Sequence, residues 1–308
     1  MRKVILMVLA IMLVMSTAVF SGGQQENGVD KYALMMSHMT NSFTITLSNA
    51  VKAAAEDLGV ELVVFDGGQD VSKQISQVES AINQGYAGIL IEPASVDGIK
   101  PAVTAASKAG IPIVTINQKI TNQELADAFV GVEHVEGGEI EMKYVVEAIG
   151  GKGKIAFLLG PLGSDGQIGR TTGYYNILED YPDIEVVYEQ SANWRTDEAL
   201  KLAENWLQTG VELVAIVANN DGMAMGALKA VEDAKMLDKI KIFGVDATDD
   251  ALAAVAEGRL SATVSQSTEA QALAAMDALV KLANGEDVPS EIIVGHTLIT
   301  KENVADFQ

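Results

Sequence analysis

"GILIEPASVDGIKPAVTAASKAGIPIVTINQ", residues 88–118, holds one complete structural unit. "GILIEP" (88–93) and "IPIVTIN" (111–117) are short aliphatic runs without polar alternation, the pattern of strands buried on both faces. Between them, about 98–109 has the periodicity and length of a helix. A strand, a helix and a second doubly buried strand imply a parallel sheet covered by helices. The second strand ends on Asn117 and Gln118. In a chain with 21 basic and 42 acidic residues, two neutral amides at the tip of a buried strand need a reason.

The alternation continues outward. "YALMMS" (32–37), "VELVVFD" (60–66) and "AFVGV" (128–132) read as strands. "SFTITLSNAVKAAAEDLG" (42–59) and about 70–84 read as helices. The plan then starts again. Helices are expected at 133–150, about 166–180, 197–210, 221–234 and about 249–257. "GKIAFLLG" (153–160), "IEVVYEQS" (184–191), "ELVAIVAN" (212–219) and "IKIFGVD" (240–246) are the strands between them. The fold class is therefore α/β, with two halves of similar plan and no visible sequence repeat. A last helix, 267–285, has too few strands after it to found a third domain and must pack on one of the two.

In open α/β sheets, ligands bind outside the carboxyl ends of the strands. In the first half those ends carry Ser37 to Asn41, Asp66, Glu92 and Asn117–Gln118. In the second half they carry Gly160–Pro161, Ala192–Asn193–Trp194, Asn219–Asn220–Asp221 and Asp246, with Gln266 after "LSATVS". Amides, carboxylates and an aromatic suit a neutral polyhydroxylated ligand. Each hydroxyl donates once and accepts twice, and the C–H faces of a sugar pack on aromatic rings. Each residue also has a plain structural role open to it. Asn220 and Asp221 can cap a helix, Trp194 can be core, and Gln118 can bond the local backbone.

The N-terminus differs from the rest. "MRK", then "VILMVLAIMLVM", then "STAVFSGG" follow the order of a secretory signal peptide, expected over 1–23, with a polar tether over 24–30. The chain has no cysteine. That leaves no disulfides, and no thiol for lipid attachment, so a soluble periplasmic protein is expected rather than a lipoprotein. The net charge of −21 argues against nucleic acid as a partner.

Other chemistry finds little support. No P-loop or GxSxG is present, and "GQIGRTTG" (166–173) lacks the dinucleotide spacing. His38, His134 and His296 form no zinc motif, so no metal and no cofactor are expected. His134, at a helix start, reads as a surface or capping residue. His38 lies near the expected cleft. Met35, Met36 and Met39 read as core filler. No set of nucleophile, acid and base can be assembled, so an enzyme is not expected.

From about Lys31 onward the chain resembles the periplasmic sugar-binding proteins of the ribose/galactose type. These are the substrate-binding components of ABC importers, related to the effector domains of LacI-type repressors. The likeness is carried in order by "TNSFTITLSNAVKAAAEDLG", "GILIEPAS", "AGIPIVTIN", "ANNDGMAMGALKAVEDA", "IFGVDATDDAL" and "SATVSQ". It implies two doubly wound parallel-sheet lobes joined by three crossovers, near 132–133, 266–267 and 295–296. The N-terminal lobe would be 30–132 plus 267–295, and the C-terminal lobe 133–266 plus 296–308.

The resemblance also implies ligand contacts from Asn41, Phe43, Arg170, Trp194, Asn220, Asp246 and Gln266. Three positions depart from the family pattern. Thr44 stands where the second aromatic of an opening pair is usual, and Asn117–Gln118 stand where Asp-Arg is usual. These three are expected at the site as the places where ligand choice diverges. The implied partners are a neutral sugar or polyol and an ABC permease, with the protein acting as a monomer. A sensor handing ligand status to a chemoreceptor or histidine kinase is the alternative. A transcription factor would need a helix-turn-helix where the signal peptide stands.

Overall fold

The computed structural model describes residues 30–308. The expected signal peptide and nearly all of the tether, residues 1–29, lie outside the described residues. Two six-stranded sheets are covered by helices. The first contains β1 (Lys31–Met36), β2 (Glu61–Asp66), β3 (Gly88–Ile91), β4 (Ile113–Asn117), β5 (Ala128–Gly131) and β11 (Glu291–Ile293), in the order β11-β5-β4-β3-β1-β2. All its pairings are parallel. The second contains β6 (Gly153–Leu159), β7 (Ile184–Ser191), β8 (Leu213–Ala218), β9 (Lys241–Asp246), β10 (Ala262–Ser265) and β12 (Thr297–Ile299), in the order β12-β10-β9-β8-β6-β7. There only β12 runs antiparallel, against β10.

Nine α-helices join these strands among the described residues. They are α1 (Ser42–Asp57), α2 (Val71–Asn83), α3 (Lys100–Ala109), α4 (His134–Ile149), α5 (Asp165–Leu178), α6 (Thr196–Gln208), α7 (Asp221–Asp233), α8 (Asp249–Glu257) and α9 (Thr268–Ala283). The two-lobed doubly wound α/β class expected from the sequence is what the chain adopts. Leaving aside the last strand of each, both sheets share one order, in which the first strand lies between the second and third.

Strand chemistry explains the layers. Side chains alternate across a strand. Tyr32, Leu34 and Met36 of β1 therefore pack with Leu47 and Val51 of α1 and Met276 and Leu279 of α9 on one face. Ala33 and Met35 pack with Val78 of α2 and Val103 of α3 on the other. The second sheet is covered likewise, by α6 to α8 on one face and by α4 and α5 on the other. Central strands β3 and β4 are buried throughout, whereas edge strand β2 is only half-buried, as edge position requires.

The chain passes from the first sheet to the second between β5 and α4. It returns after β10 to place α9 on the first sheet, and crosses again between β11 and β12. Three-residue strands β11 and β12, which no periodicity announces, close the edge of each sheet.

Candidate functional site

The reversal in strand order makes a crevice beside the carboxyl ends of β1 and β3 in one lobe and of β6 and β8 in the other, the usual place for a ligand in such sheets. The two crevices face each other across one cavity. All ten candidate residues line it: Asn41, Phe43, Thr44, Asn117, Gln118, Arg170, Trp194, Asn220, Asp246 and Gln266. His38, Glu92, His134 and Gly166 complete the wall.

On the first lobe, Asn41 caps α1. Its Oδ1 accepts from Thr44 N at 2.9 Å, and Thr44 Oγ1 donates to the same oxygen. That commits the amide oxygen and turns Nδ2 toward His38 Nε2, 3.2 Å away. Nε2 must then accept, so the imidazole is neutral, with its proton on Nδ1 toward Ser37 Oγ. Phe43, in the first turn of α1, sits between the core and the cavity. Asn117 ends β4 in the left-handed region at φ 64, which Asn tolerates better than most residues. This aims its Nδ2 at Gln266 Oε1 (3.0 Å) and Gln271 Oε1 (3.3 Å). The Gln118 side chain does not bond the local backbone; its Nε2 donates to Glu92 Oε1 at 2.5 Å. Glu92, 2% exposed, also takes the Ser37 backbone N–H on Oε2.

On the second lobe, Arg170 rises from α5 and is 3% exposed. Its Nη1 donates to Asn219 O at 2.5 Å and stands 3.9 Å from Asp246 Oδ1. Trp194 follows β7 with φ 63, a strained conformation for an aromatic, and Asp246 ends β9 with φ 130. Positive φ at Asn117, Trp194 and Asp246 gathers backbone strain at one cavity, as functional sites do. Trp194 lies over Gly160, where a Cβ would come within 2.3 Å of the indole, and beside the Arg170 guanidinium at 5.7 Å. Asn220 caps α7 through Oδ1, which accepts from Met223 N, and this turns its Nδ2 toward Asp246 at the cavity. Capping and lining the cavity are thus two jobs of one residue, at Asn220 and at Asn41. Gln266 donates to Asp246 Oδ1 at 2.6 Å.

Besides the bond from Asn117 to Gln266, further bonds join the lobes beside the cavity. Lys119 N, past β4, donates to Asp165 Oδ2 at the start of α5, 2.7 Å away. His134 Nε2 meets Asn117 O at 2.9 Å, and its Nδ1 faces Arg170 Nη2 at 3.5 Å. Burial, and then the Arg170 charge, hold the His134 imidazole well below its ordinary range, so it is neutral, with the proton on Nε2. Burial pushes the Asp246 and Asp221 carboxyls up, and Arg170 pulls both partly back. Beneath them Glu141 of α4, 1% exposed, is pushed up to about 8, chiefly by burial, although Tyr174 Oη donates to it. One arginine therefore serves a group of buried carboxyls.

The structure corrects one expectation. His134 is neither a surface residue nor a side-chain cap; it is 4% exposed and forms part of the cavity wall. The stretch "GQIGRTTG" also gains a purpose. A Cβ at Gly169 would lie 2.5 Å from His134 Cβ, and one at Gly173 would lie 2.3 Å from Val135 O. These glycines let α5 close onto α4, and that contact brings Arg170 and His134 together. Glu92 was visible as a strand-end carboxylate, but its pairing with Gln118 was not. Met35 and Met36 are core residues. Among the described residues, no group of three His, Asp or Glu is placed to hold a metal ion.

Comparison with known proteins agrees with this architecture. The family model described as a periplasmic binding protein domain matches residues 32–287. A putative rhizopine-binding protein of Rhizobium meliloti is 36% identical over 280 residues, covering 89% of this chain and 91% of the relative. The ribose import binding protein of Bacillus subtilis is 32% identical over 272 residues, covering 88% and 87%. Among solved structures, an ABC transporter solute binding protein from Bacillus halodurans C-125 with bound myo-inositol superposes with a TM-score of 0.88. It is 34% identical, with 92% of this chain and 98% of that one covered. Fold, cavity and relatives agree: the chain belongs to the periplasmic binding protein family, the substrate-binding components of ABC importers.

Proposed function

We propose that this protein captures a neutral polyol or monosaccharide between its lobes and delivers it to an ABC permease. The observation that carries the reading is the cavity wall. Asn41, Asn117, Gln118, Asn220 and Gln266 supply amides, Arg170 and Asp246 supply opposite charges 3.9 Å apart, and Phe43 and Trp194 supply flat apolar faces. Arg170 stands against Asp246, Glu92 is bonded to Gln118 and Ser37, and the amides are left to meet a guest's hydroxyls. The likeness to a solute binding protein holding myo-inositol supports a cyclic polyol as the ligand.

In this reading, residues 30–132 with 267–295 form one lobe and 133–266 with 296–308 the other. Ligand enters when they are apart, and closure is selected because the closed form makes contacts from both sides. Phe43 and Trp194 clamp the ring faces, while Arg170 and Asp246 make the charge-assisted bonds. An affinity of about 1 μM or tighter, roughly −8 kcal/mol, is expected. Residues 1–23 export the chain to the periplasm. A thermal-shift screen tests the reading, because a ligand that binds only the folded form raises apparent stability. Neutral polyols and sugars should raise the melting temperature; stabilisation by anionic ligands alone would overturn it.

A further inference from the structure

His134 spans the lobes with both ring nitrogens in use. It is the first residue of α4, just past the first crossover, and is 4% exposed. Its Nε2 donates to Asn117 O, at the tip of β4 in the other lobe, over 2.9 Å. Nδ1 then carries no proton and faces Arg170 Nη2 at 3.5 Å as the acceptor. Only the neutral imidazole can do both. A protonated ring would aim a second N–H at the guanidinium and set two cations side by side. The groups around the ring do not repair this. Arg170 of α5, Lys119 past β4 and His296 at the third crossover all act against a charge on it. The His296 ring is itself enclosed over Gly137, with neither nitrogen hydrogen-bonded and Glu136 3.6 Å away. Asp165 of α5 brings a carboxylate within 3.9 Å of Nε2, but that oxygen is bonded to Lys119 N, and burial pushes the group up. Glu133, next in the chain, is paired with Lys119.

We propose that His134 is a proton-sensitive clasp: its uncharged ring holds the two lobes together, and its protonation opens them and releases the ligand. The inference rests on the reading above, in which the lobes close on a guest. Asn117 and Lys119 belong to the first lobe, whereas Arg170, Asp165 and His296 lie with His134 in the second. Opening therefore removes the Asn117 bond and the first-lobe cover, and water reaches the ring. Burial is the largest cause of the ring's lowered range, so the open form takes up a proton more readily than the closed form. The sign follows by linkage. Closure is fully favoured above the pH at which the open form titrates, and it weakens as pH falls through that range. Affinity for a guest held by both lobes falls with it, although the guest itself has no charge to lose.

The test is calorimetric titration of myo-inositol into the wild type and into His134→Gln, at about pH 7.5 and about pH 5. Myo-inositol has no group that titrates between these values, so any change belongs to the protein. Glutamine keeps a donor and an acceptor on a side chain that takes no proton. Every other titrating group, Asp221, Asp246 and His296 included, is common to both proteins and cancels in the ratio. The wild type should lose about tenfold more affinity than H134Q over this range, within the roughly 30-fold that a histidine of ordinary range could give. Equal losses, or a larger loss in H134Q, overturn the proposal. A second measurement needs no variant. In NMR spectra of the wild type, the His134 ring signal should shift with pH in the unliganded chain and stay fixed over the same range at saturating myo-inositol. A signal that titrates alike in both states, or in neither, overturns the proposal. If myo-inositol does not bind at about pH 7.5, the cyclic-polyol reading fails by itself. The unliganded titration then decides: a ring that titrates supports the clasp, and a silent one rules it out.

Discussion

Asp165 is the residue through which closure can be tested apart from ligand contact. It is the first residue of α5, and its Oδ2 accepts the backbone N–H of Lys119 from the other lobe at 2.7 Å. The Lys119 donor is main chain, so Asp165→Ala is the way to remove the bond. A hydrogen bond to an ionised group contributes about 1.5–3 kcal/mol net. Burial works against this one, since it pushes the Asp165 carboxyl up from its ordinary range. The expected loss is therefore at the low end, about 1.5 kcal/mol, or roughly tenfold in affinity. Because the bond exists only when the lobes meet, the loss should fall on the closed population. Stopped-flow binding should show a faster dissociation rate with the association rate little changed. Asp165→Asn, which keeps an acceptor, should lie between alanine and wild type. An Asp165→Ala protein with wild-type affinity and dissociation rate would refute the latch.

Other expectations concern the wall and the layer beneath it. Trp194→Ala should weaken the neutral ligand about 100-fold or more, in the range of a buried aromatic anchor; retained affinity in calorimetry would remove Trp194 from the site. Replacing Asn117–Gln118 by Asp-Arg puts a guanidinium beside Glu92 and a second carboxylate in the wall, so the ranking in the thermal-shift screen should change; an unchanged ranking would show that the pair does not select ligand. Glu141 is held in the folded protein at about 8 against an ordinary 4.5. The folded state thus binds the proton more tightly, and the stabilisation this gives at low pH is lost as pH rises through about 8. Glu141→Gln has no such loss, so its stability relative to wild type should climb from pH 5 to pH 8.5 by at most about 5 kcal/mol, from roughly 1.4 kcal/mol per pH unit. Urea melts that stay parallel across that range would contradict it.

Much of this architecture is legible in residue order. Runs such as "GILI" and "IVTI" are too short and too apolar to be half-exposed strands, and the helices between them are long enough to cross a sheet. Strand ends alone brought Asn117, Asn220 and Asp246 to attention, because a parallel sheet puts all its carboxyl ends on one edge. Asn41 and Gln266 stand at strand ends too, whereas Phe43 and Arg170 came from resemblance, since nothing in their spacing marks them. His134 was misread because its burial depends on α5 packing on α4 through Gly169, a contact that no local pattern encodes. The Glu92–Gln118 bond joins the residues just past neighbouring strands β3 and β4, whose side chains meet only once the loops that follow are placed. The left-handed backbone at Trp194 was equally hidden, since aromatic residues rarely adopt it.

The central claim is that a neutral polyhydroxylated molecule binds in the cavity between Phe43 and Trp194. Isothermal titration of the mature chain with myo-inositol tests it most directly. The account predicts one molecule bound per chain at about 1 μM or tighter, with the heat lost in Trp194→Ala. A wild-type titration without heat, alongside saturable binding of an anionic sugar acid or sugar phosphate, would contradict it.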